Sequence, residues 1–325
     1  MKMLVTGATG FIGTNLVKEL SKNNKVRCLV REGSDTSLLK SKNIELFYGN
    51  LLDKNSIKGV TKGIGLVYHL AGGGNVSAST KKEFKKLFDL NVTTTKNLLD
   101  ECIKNKPKKF ILFSSVSAIG VIVNKAIDEK TKCIPKTPHE ICKYKSEKLA
   151  LEYSKKYKIP LTILRPSIVY GPYGKNSEIL MIAKLVKKHF FPIPGNGENI
   201  MPFVYIKNLV NAAVFLANKR PGTYILSDTG VKFNYLVKKI AEELNKKAII
   251  IHIPVILIKI PIFVIEKVCK LLGLNPLFTL HRINSMSSNR IYNTKKIKIL
   301  GYKQKYKFDD AIKETIGWYK QNGYL

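Results

Sequence analysis

Six short apolar runs mark the first half of the chain, at residues 2–6, 25–30, 44–48, 65–70, 109–114 and 160–165, and helix-period segments fill the gaps between them. After the first run, for instance, Ile12, Leu16, Val17 and Leu20 recur at helical spacing. Near-continuous apolar strands have no water-facing side. A sheet built from them is covered on both faces, and strands joined through helices run parallel. With right-handed crossovers, the expected architecture is an α/β fold, a doubly wound parallel sheet of Rossmann type.

The first run leads directly into Thr6-Gly7-Ala8-Thr9-Gly10-Phe11-Ile12-Gly13. Glycines at 7, 10 and 13 form G-x-x-G-x-x-G, a variant of the dinucleotide fingerprint. Gly7 gives the backbone freedom a tight strand-to-helix turn needs, Gly10 lets a pyrophosphate approach the backbone, and Gly13 lets the helix pack on the sheet. The helix start then offers the N–H groups around Thr9, Phe11 and Ile12, with a positive dipole end, to the anion. The second run ends Leu29-Val30-Arg31-Glu32. An NAD site places an acidic residue near this point for the ribose hydroxyls, whereas Arg31 can fork onto a 2′-phosphate. The expected cofactor is NADP, with NAD as the alternative that Glu32 keeps open.

The run at 109–114 is followed by Ser115, and further on Tyr144-Lys145-Ser146-Glu147-Lys148 gives a Y-x-x-x-K spacing. Positions i and i+4 share a helix face. A free phenol titrates near ~10 and is a poor base at neutral pH. A lysine ammonium one turn away favours the phenolate, which makes such a pair usable in acid–base chemistry. Ser115 at the strand end is placed to hold and polarise the same substrate oxygen. The expected chemistry is hydride transfer to or from a hydroxyl or keto carbon.

With these pieces in order the chain resembles the extended short-chain dehydrogenases/reductases, in the group called NAD-dependent epimerase/dehydratase. The resemblance runs over TGATGFIG at 6–13, YGNLLD at 48–53, HLAG at 69–72, NVTTTKNLL at 91–99, FSSVSAIG at 113–120, YKSEK at 144–148 and LRPSIVYGP at 164–172. It implies Ser115, Tyr144 and Lys148 as catalytic residues, with Lys148 also binding the nicotinamide ribose, and Asn91 as the asparagine of the central helix. It implies Asn50 and Leu51 beside the adenine, Leu70 and Ala71 along the cofactor, and Pro166 near the nicotinamide. Two departures bear on the substrate. Lys207-Asn208 stand where the family often has an aspartate pair, and Met201-Pro202 stand where nucleotide-sugar enzymes often carry an arginine for the diphosphate. The C-terminal part, with RIYNTKKIKILGY at 290–302, resembles 3β-hydroxysteroid dehydrogenases and dihydroflavonol reductases, which handle apolar alcohols and ketones. A nucleotide sugar and an apolar alcohol or ketone both stay open as substrate, with a non-catalytic NADP-binding regulator or nucleic-acid binder as the reading of another class.

Downstream, Gly171-Pro172, Gly174, Pro192, Pro194, Gly195 and Gly197 make an irregular, site-forming stretch. Residues 207–218 read as a helix, 223–227 as a strand returning to the sheet, and the chain beyond about 231 as mainly helical. The expected division is a dinucleotide-binding domain of 1–165 plus 201–229 and a smaller, mainly helical substrate-binding domain of 166–200 plus 230–325. Residues 248–265, AIIIHIPVILIKIPIFVI, approach the length of a membrane span, but His252, Lys259, Pro254 and Pro261 interrupt them. A strand ending at Pro254 followed by a buried amphipathic helix is the favoured reading, ahead of peripheral membrane contact through 248–272 and of a true span.

The net charge is +33, from 56 basic and 23 acidic residues, but arginine appears only at 27, 31, 165, 220, 282 and 290, and the lysines are spread along the chain. Base and phosphate forks favour arginine, so a nucleic-acid partner is not expected, and the charge reads as a solvated surface. Five cysteines with no C-x-x-C pair give neither a disulfide framework nor a metal pattern. Met1-Lys2 runs straight into the first strand with no leader pattern, so a cytoplasmic protein is expected. A homodimer is expected through helices near Asn91 and Tyr144, with Leu87, Leu90, Leu98, Leu149 and Tyr153 as the apolar face.

Overall fold

The computed structural model describes residues 1–73, 78, 80–122, 125–247, 249–272, 274, 279–280, 283–284 and 287–325. Its centre is a seven-stranded parallel sheet: β1 (Met3–Thr6), β2 (Val26–Val30), β3 (Ile44–Tyr48), β4 (Leu66–His69), β5 (Lys109–Phe113), β6 (Leu161–Pro166) and β7 (Gly222–Leu226). In space they run β7-β6-β5-β4-β1-β2-β3. All six apolar runs became sheet strands, and the segment read as returning to the sheet is β7, which pairs parallel to β6.

Alternation along each strand sends residues to opposite faces. Met3 and Val5 of β1 join one buried cluster with Leu16 and Val17 of α1 (Phe11–Leu20), whereas Leu4 joins the other with Leu98 and Ala150. The second face is covered by α3 (Thr94–Asn105) and α4 (Pro138–Tyr157), with α2 (Lys81–Phe88) leading into α3 and touching α4. A single wide π-turn, Asp89–Thr93, joins α2 to α3. Its cause is local: the Asn91 Nδ2 donates to the Leu87 carbonyl at 2.8 Å, and the Thr94 and Thr95 hydroxyls each donate four residues back, which competes with the regular ladder.

Beyond β6 the chain forms α5 (Glu178–Lys187), α6 (Ile206–Ala217), α7 (Phe233–Glu243), α8 (Val255–Leu271), α9 (Lys295–Ile299) and α10 (Phe308–Gln321). The strand expected to end at Pro254 is Ile249–Ile253, paired in parallel with Phe190–Pro194. The helix after it corrects the expectation of burial. Ile262 is buried, but Ile256, Leu257, Ile260, Phe263, Val264 and Ile265 are exposed, because no element covers that side among the described residues. Ala248, at the start of this segment, lies outside the described residues. No helix of the described residues is long and apolar enough to cross a membrane. Three residues of the expected dimer face are also corrected. Leu87 and Leu98 are buried within the chain itself, and Tyr153 packs partly buried on the core while its hydroxyl donates to Asp100 at 2.7 Å, so their apolar surface is used inside the fold.

Candidate active site

The opening glycines lie beside β1, whose neighbours β2 and β4 mark the point where the strand order turns back. At such a switch point the strand C-termini leave a crevice. Gly7 has a φ of +69°, and a Cβ there would lie 2.8 Å from the Ala71 nitrogen, so the loop after β1 presses on the loop after β4. A Cβ on Gly13 would lie 2.0 Å from the Gly7 carbonyl oxygen, a clash that only glycine avoids. Gly10 is different: a Cβ there would meet only the Gly7 oxygen, at 3.3 Å. Packing therefore demands glycine at 7 and 13, whereas the space over Gly10 is open. α1 has no side-chain cap and no acidic residue in its first turn. The N–H groups that any helix start leaves unpaired, here those of Phe11, Ile12 and Gly13, are left for an anion, which fits the pyrophosphate of a dinucleotide.

Thr9, Gly10 and Phe11 line a cavity of about 580 Å³ together with Arg31, Ser34 and Asp35. The Asp35 carboxylate accepts the Ser37 N–H at 2.9 Å, and that hydrogen bonding holds its pKa below the usual range. At the end of β3, the Asn50 Oδ1 accepts the Leu52 N–H at 3.0 Å, and the Leu51 carbonyl accepts the Asn97 amide at 2.7 Å, which fixes the backbone beside the crevice. Leu70 and Ala71 are tied to β1: the Leu70 N–H reaches the Thr6 carbonyl at 3.2 Å and the Ala71 N–H reaches the Thr6 hydroxyl at 3.2 Å. Pro166 ends β6, opposite Leu226. Ser115 follows β5; its Oγ accepts the Ser117 N–H at 3.1 Å and donates to the Ser117 Oγ at 3.0 Å.

A buried polar chain, missed at the sequence level, connects this crevice to α4. The Thr6 Oγ1 lies 2.7 Å from the His69 Nδ1, the His69 Nε2 lies 3.0 Å from the Thr95 Oγ1, and the Thr95 Oγ1 lies 3.0 Å from the Ser146 Oγ. The Thr95 hydroxyl spends its proton on the Asn91 carbonyl at 2.6 Å. His69 and Ser146 must then donate to Thr95, and Thr6 must donate to His69, which assigns the proton of His69 to Nε2. Burial, with a smaller push from the Lys143 charge, lowers the His69 pKa to about 3, so the ring stays neutral. Further along α4, the Arg165 guanidinium of β6 grips the Glu147 carboxylate with two bonds, Nε to Oε1 at 3.0 Å and Nη2 to Oε2 at 2.6 Å, both side chains being buried.

These anchors fix how α4 is rotated. Ser146 and Glu147 point inward, and so does Lys143. A Cβ on Gly72 would lie 3.3 Å from the Lys143 Nζ and 2.9 Å from the Asn91 Oδ1. That Asn91 oxygen is buried without a hydrogen-bond partner among the described residues, as is the Nδ1 of His139, one turn before Lys143. Tyr144 is half-buried and Lys148 exposed. The Lys148 Nζ lies 5.6 Å from the centre of the Tyr144 ring, so the structure brings those two residues together. The H-x-x-x-K spacing at 139 and 143 was visible in the sequence, but a search for tyrosine passes over it. The departures at 207–208 have structural partners: Lys207 pairs with Glu314 at 2.5 Å, and Asn208 donates to Asp228 at 3.1 Å and to the Tyr306 carbonyl at 2.9 Å.

The profile of the NAD dependent epimerase/dehydratase family matches residues 3–226. A Bacillus subtilis protein named an uncharacterized UDP-glucose epimerase is 28% identical over 235 residues, covering 67% of this chain and 73% of its own. The bovine sterol-4-alpha-carboxylate 3-dehydrogenase, decarboxylating, is 26% identical and covers 96% of this chain and 90% of its own. Among solved structures, the UDP-glucuronic acid 4-epimerase of Bacillus cereus in complex with NAD superposes with a TM-score of 0.78 at 22% identity, covering 99% of both chains.

Proposed function

This chain belongs to the NAD-dependent epimerase/dehydratase family, and from that premise we propose that it exchanges a hydride between a nicotinamide dinucleotide and a hydroxyl or keto carbon of a nucleotide sugar. The observation that carries this is the open space over Gly10 at an uncapped helix start, beside glycines that packing alone explains at 7 and 13. The pyrophosphate would lie on the N–H groups of Phe11, Ile12 and Gly13, the adenine against Asn50 and Leu51, and the nicotinamide towards Ala71, Ser115 and Pro166. When bound, the dinucleotide supplies a reversible hydride acceptor. The chain's own part is to exclude water, orient the substrate oxygen near Ser115 at the end of β5, and exchange a proton with it from α4. The UDP-sugar names of several relatives and structural neighbours support the substrate class.

Arg31 supports NADP over NAD. It is exposed at the end of β2 and shares a cavity with Gly10 and Ser34, within reach of a ribose 2′-phosphate. A homodimer through Leu90, Leu149 and the exposed Leu151 completes the reading, with light scattering as its check.

A second reading takes an apolar alcohol or ketone as substrate. Met201 and Pro202 are both buried where an arginine for a diphosphate is expected, and the sterol dehydrogenase relative spans nearly the whole chain. The test is calorimetric titration with NAD⁺ and NADP⁺, followed by turnover of UDP- and dTDP-hexoses against sterols and flavonoid ketones. Turnover of a nucleotide sugar supports the first reading. Turnover of apolar alcohols alone replaces it with the second, and failure of the folded protein to bind either dinucleotide overturns both.

A further inference from the structure

Resting on the hydride-exchange reading above, we infer that the amine of Lys143 is the group that exchanges a proton with the substrate oxygen, while Tyr144 and Lys148 stand outside the reacting cleft.

Helix geometry forces a choice between the two pairs. Residues 139 and 144 are five positions apart, which at 3.6 residues per turn separates their directions by about 140°. One cleft therefore receives one pair. The rotation of α4 is set by Glu147, gripped by Arg165, and by Ser146, bonded to Thr95. Lys143 lies on that same inward side. A continuous set of contacts then leads from the phosphate loop to its amine: Gly7 packs on Ala71, and Gly72, the next residue, packs on the Lys143 Nζ and the Asn91 Oδ1. A side chain on Gly72 would fill this place. Two buried polar atoms beside it, the Asn91 Oδ1 and the His139 Nδ1, have no protein partner among the described residues, which is costly unless a ligand or water serves them. Lys148, by contrast, is exposed, with its ammonium over the Tyr144 ring and within electrostatic reach of Cys133.

The charges around Lys143 suit the role. The groups facing it are His69 from the end of β4, Asn91 from the π-turn, and His139, Cys142 and Glu147 on α4. Glu147 is already engaged by Arg165. Burial dominates and lowers the Lys143 pKa to about 8, with Glu147 and Cys142 opposing. An amine that titrates there is partly free at neutral pH and serves as both base and acid. Burial, aided by the Lys143 charge, brings His139 down to about 4 against the opposing pull of Glu140, so its ring is a neutral hydrogen-bonding group. In the oxidative direction the substrate O–H bond breaks and its proton goes to the lone pair of the Lys143 Nζ. The hydride leaving the adjacent C–H bond would be taken up by the oxidised dinucleotide when it is bound. The products are a carbonyl, a reduced dinucleotide and a Lys143 ammonium, and the return step reverses each transfer.

Two measurements on the full chain test this. The first maps acetylation of the wild-type protein by acetic anhydride, peptide by peptide, between pH 6 and 10. Lys143 is expected to reach half its maximal rate at a pH of about 8 and to react roughly tenfold more slowly at pH 7 than on the plateau. Saturating NAD⁺ or NADP⁺ is expected to slow Lys143 about tenfold at ten times Kd and to leave Lys148 unchanged. The second is dinucleotide affinity against pH. Loss of the Lys143 proton removes a positive charge beside the cationic nicotinamide, so NAD⁺ affinity rises through pH 8 in wild type and in Lys148→Met and Tyr144→Phe. It is flat in Lys143→Met and in Lys143→Arg, which stays charged. Protection of Lys148 in place of Lys143, or a pH step that survives Lys143→Met and vanishes in Lys148→Met, overturns the inference while leaving the hydride reading intact. Failure of wild type to bind either dinucleotide removes the hydride reading and this inference with it.

Discussion

The inner and outer sides of α4 each carry a lysine, Lys143 and Lys148, five residues apart, and their surroundings differ. The inner side holds Ser146 and Glu147, both buried and hydrogen-bonded to other elements, and places Lys143 against Gly72 and Asn91. The outer side holds Lys145 and Lys148, exposed, with ring contacts to Phe88 and Tyr144. Spacing alone rates the two sides as equals. The difference lies in which side is tied to the sheet and to α3, since a buried carboxylate or hydroxyl needs its partner and so fixes the helix rotation, whereas exposed lysines leave it free.

This contrast can be broken most severely at Arg165. Arg165→Met leaves Glu147 buried and unpaired, and a loss of about 3–5 kcal/mol in urea unfolding is expected. The double variant Arg165→Met with Glu147→Leu should recover most of it. A single-variant loss below 1 kcal/mol would mean the pair does not hold the helix. Thr95→Val removes the hydroxyl shared by His69 and Ser146 and should cost about 1–3 kcal/mol; unchanged stability would show that water replaces it.

Acid probes the same inner chain. The folded His69 pKa of about 3 lies below the usual histidine value, so between these limits the unfolded chain binds more protons. Stability from this group is complete above about 6.5 and is lost as pH falls, by about 1.4 kcal/mol at pH 5.5. The difference in stability between pH 7 and pH 5.5 should shrink by that amount in His69→Gln, and an unaltered difference would remove His69 from the account. On the outer side, Lys148→Ala should change stability by no more than about 0.5 kcal/mol. A larger loss, read in the same urea titration, would erase the distinction between the two sides.

Much of the fold was legible beforehand. Each apolar run became a sheet strand within a residue or two, because the inner strands, buried on both faces, must be apolar throughout; the edge strand β3, half exposed, is the exception to that reason. The helix expected at 207–218 is α6, Ile206–Ala217. The separate parts of Gly7, Gly10 and Gly13 were already legible, and the structure adds that the loop after β4 also presses on Gly7. The helix after Pro254 shows where such reading ends. Its apolar composition suggested burial, yet Leu257 is 60% exposed and Ile260 59%, since composition does not say whether a neighbour arrives to cover a surface.

The sequence by itself determined the parallel sheet, the glycine loop and the family, because these depend on local patterns: strand period, backbone freedom and the order of short motifs. Tertiary structure alone decided which lysine of α4 lies against Gly72 and Asn91. That depends on the angle of one helix about its own axis, and the angle is set by a guanidinium 18 residues away and by a threonine 51 residues away, contacts that no local pattern encodes.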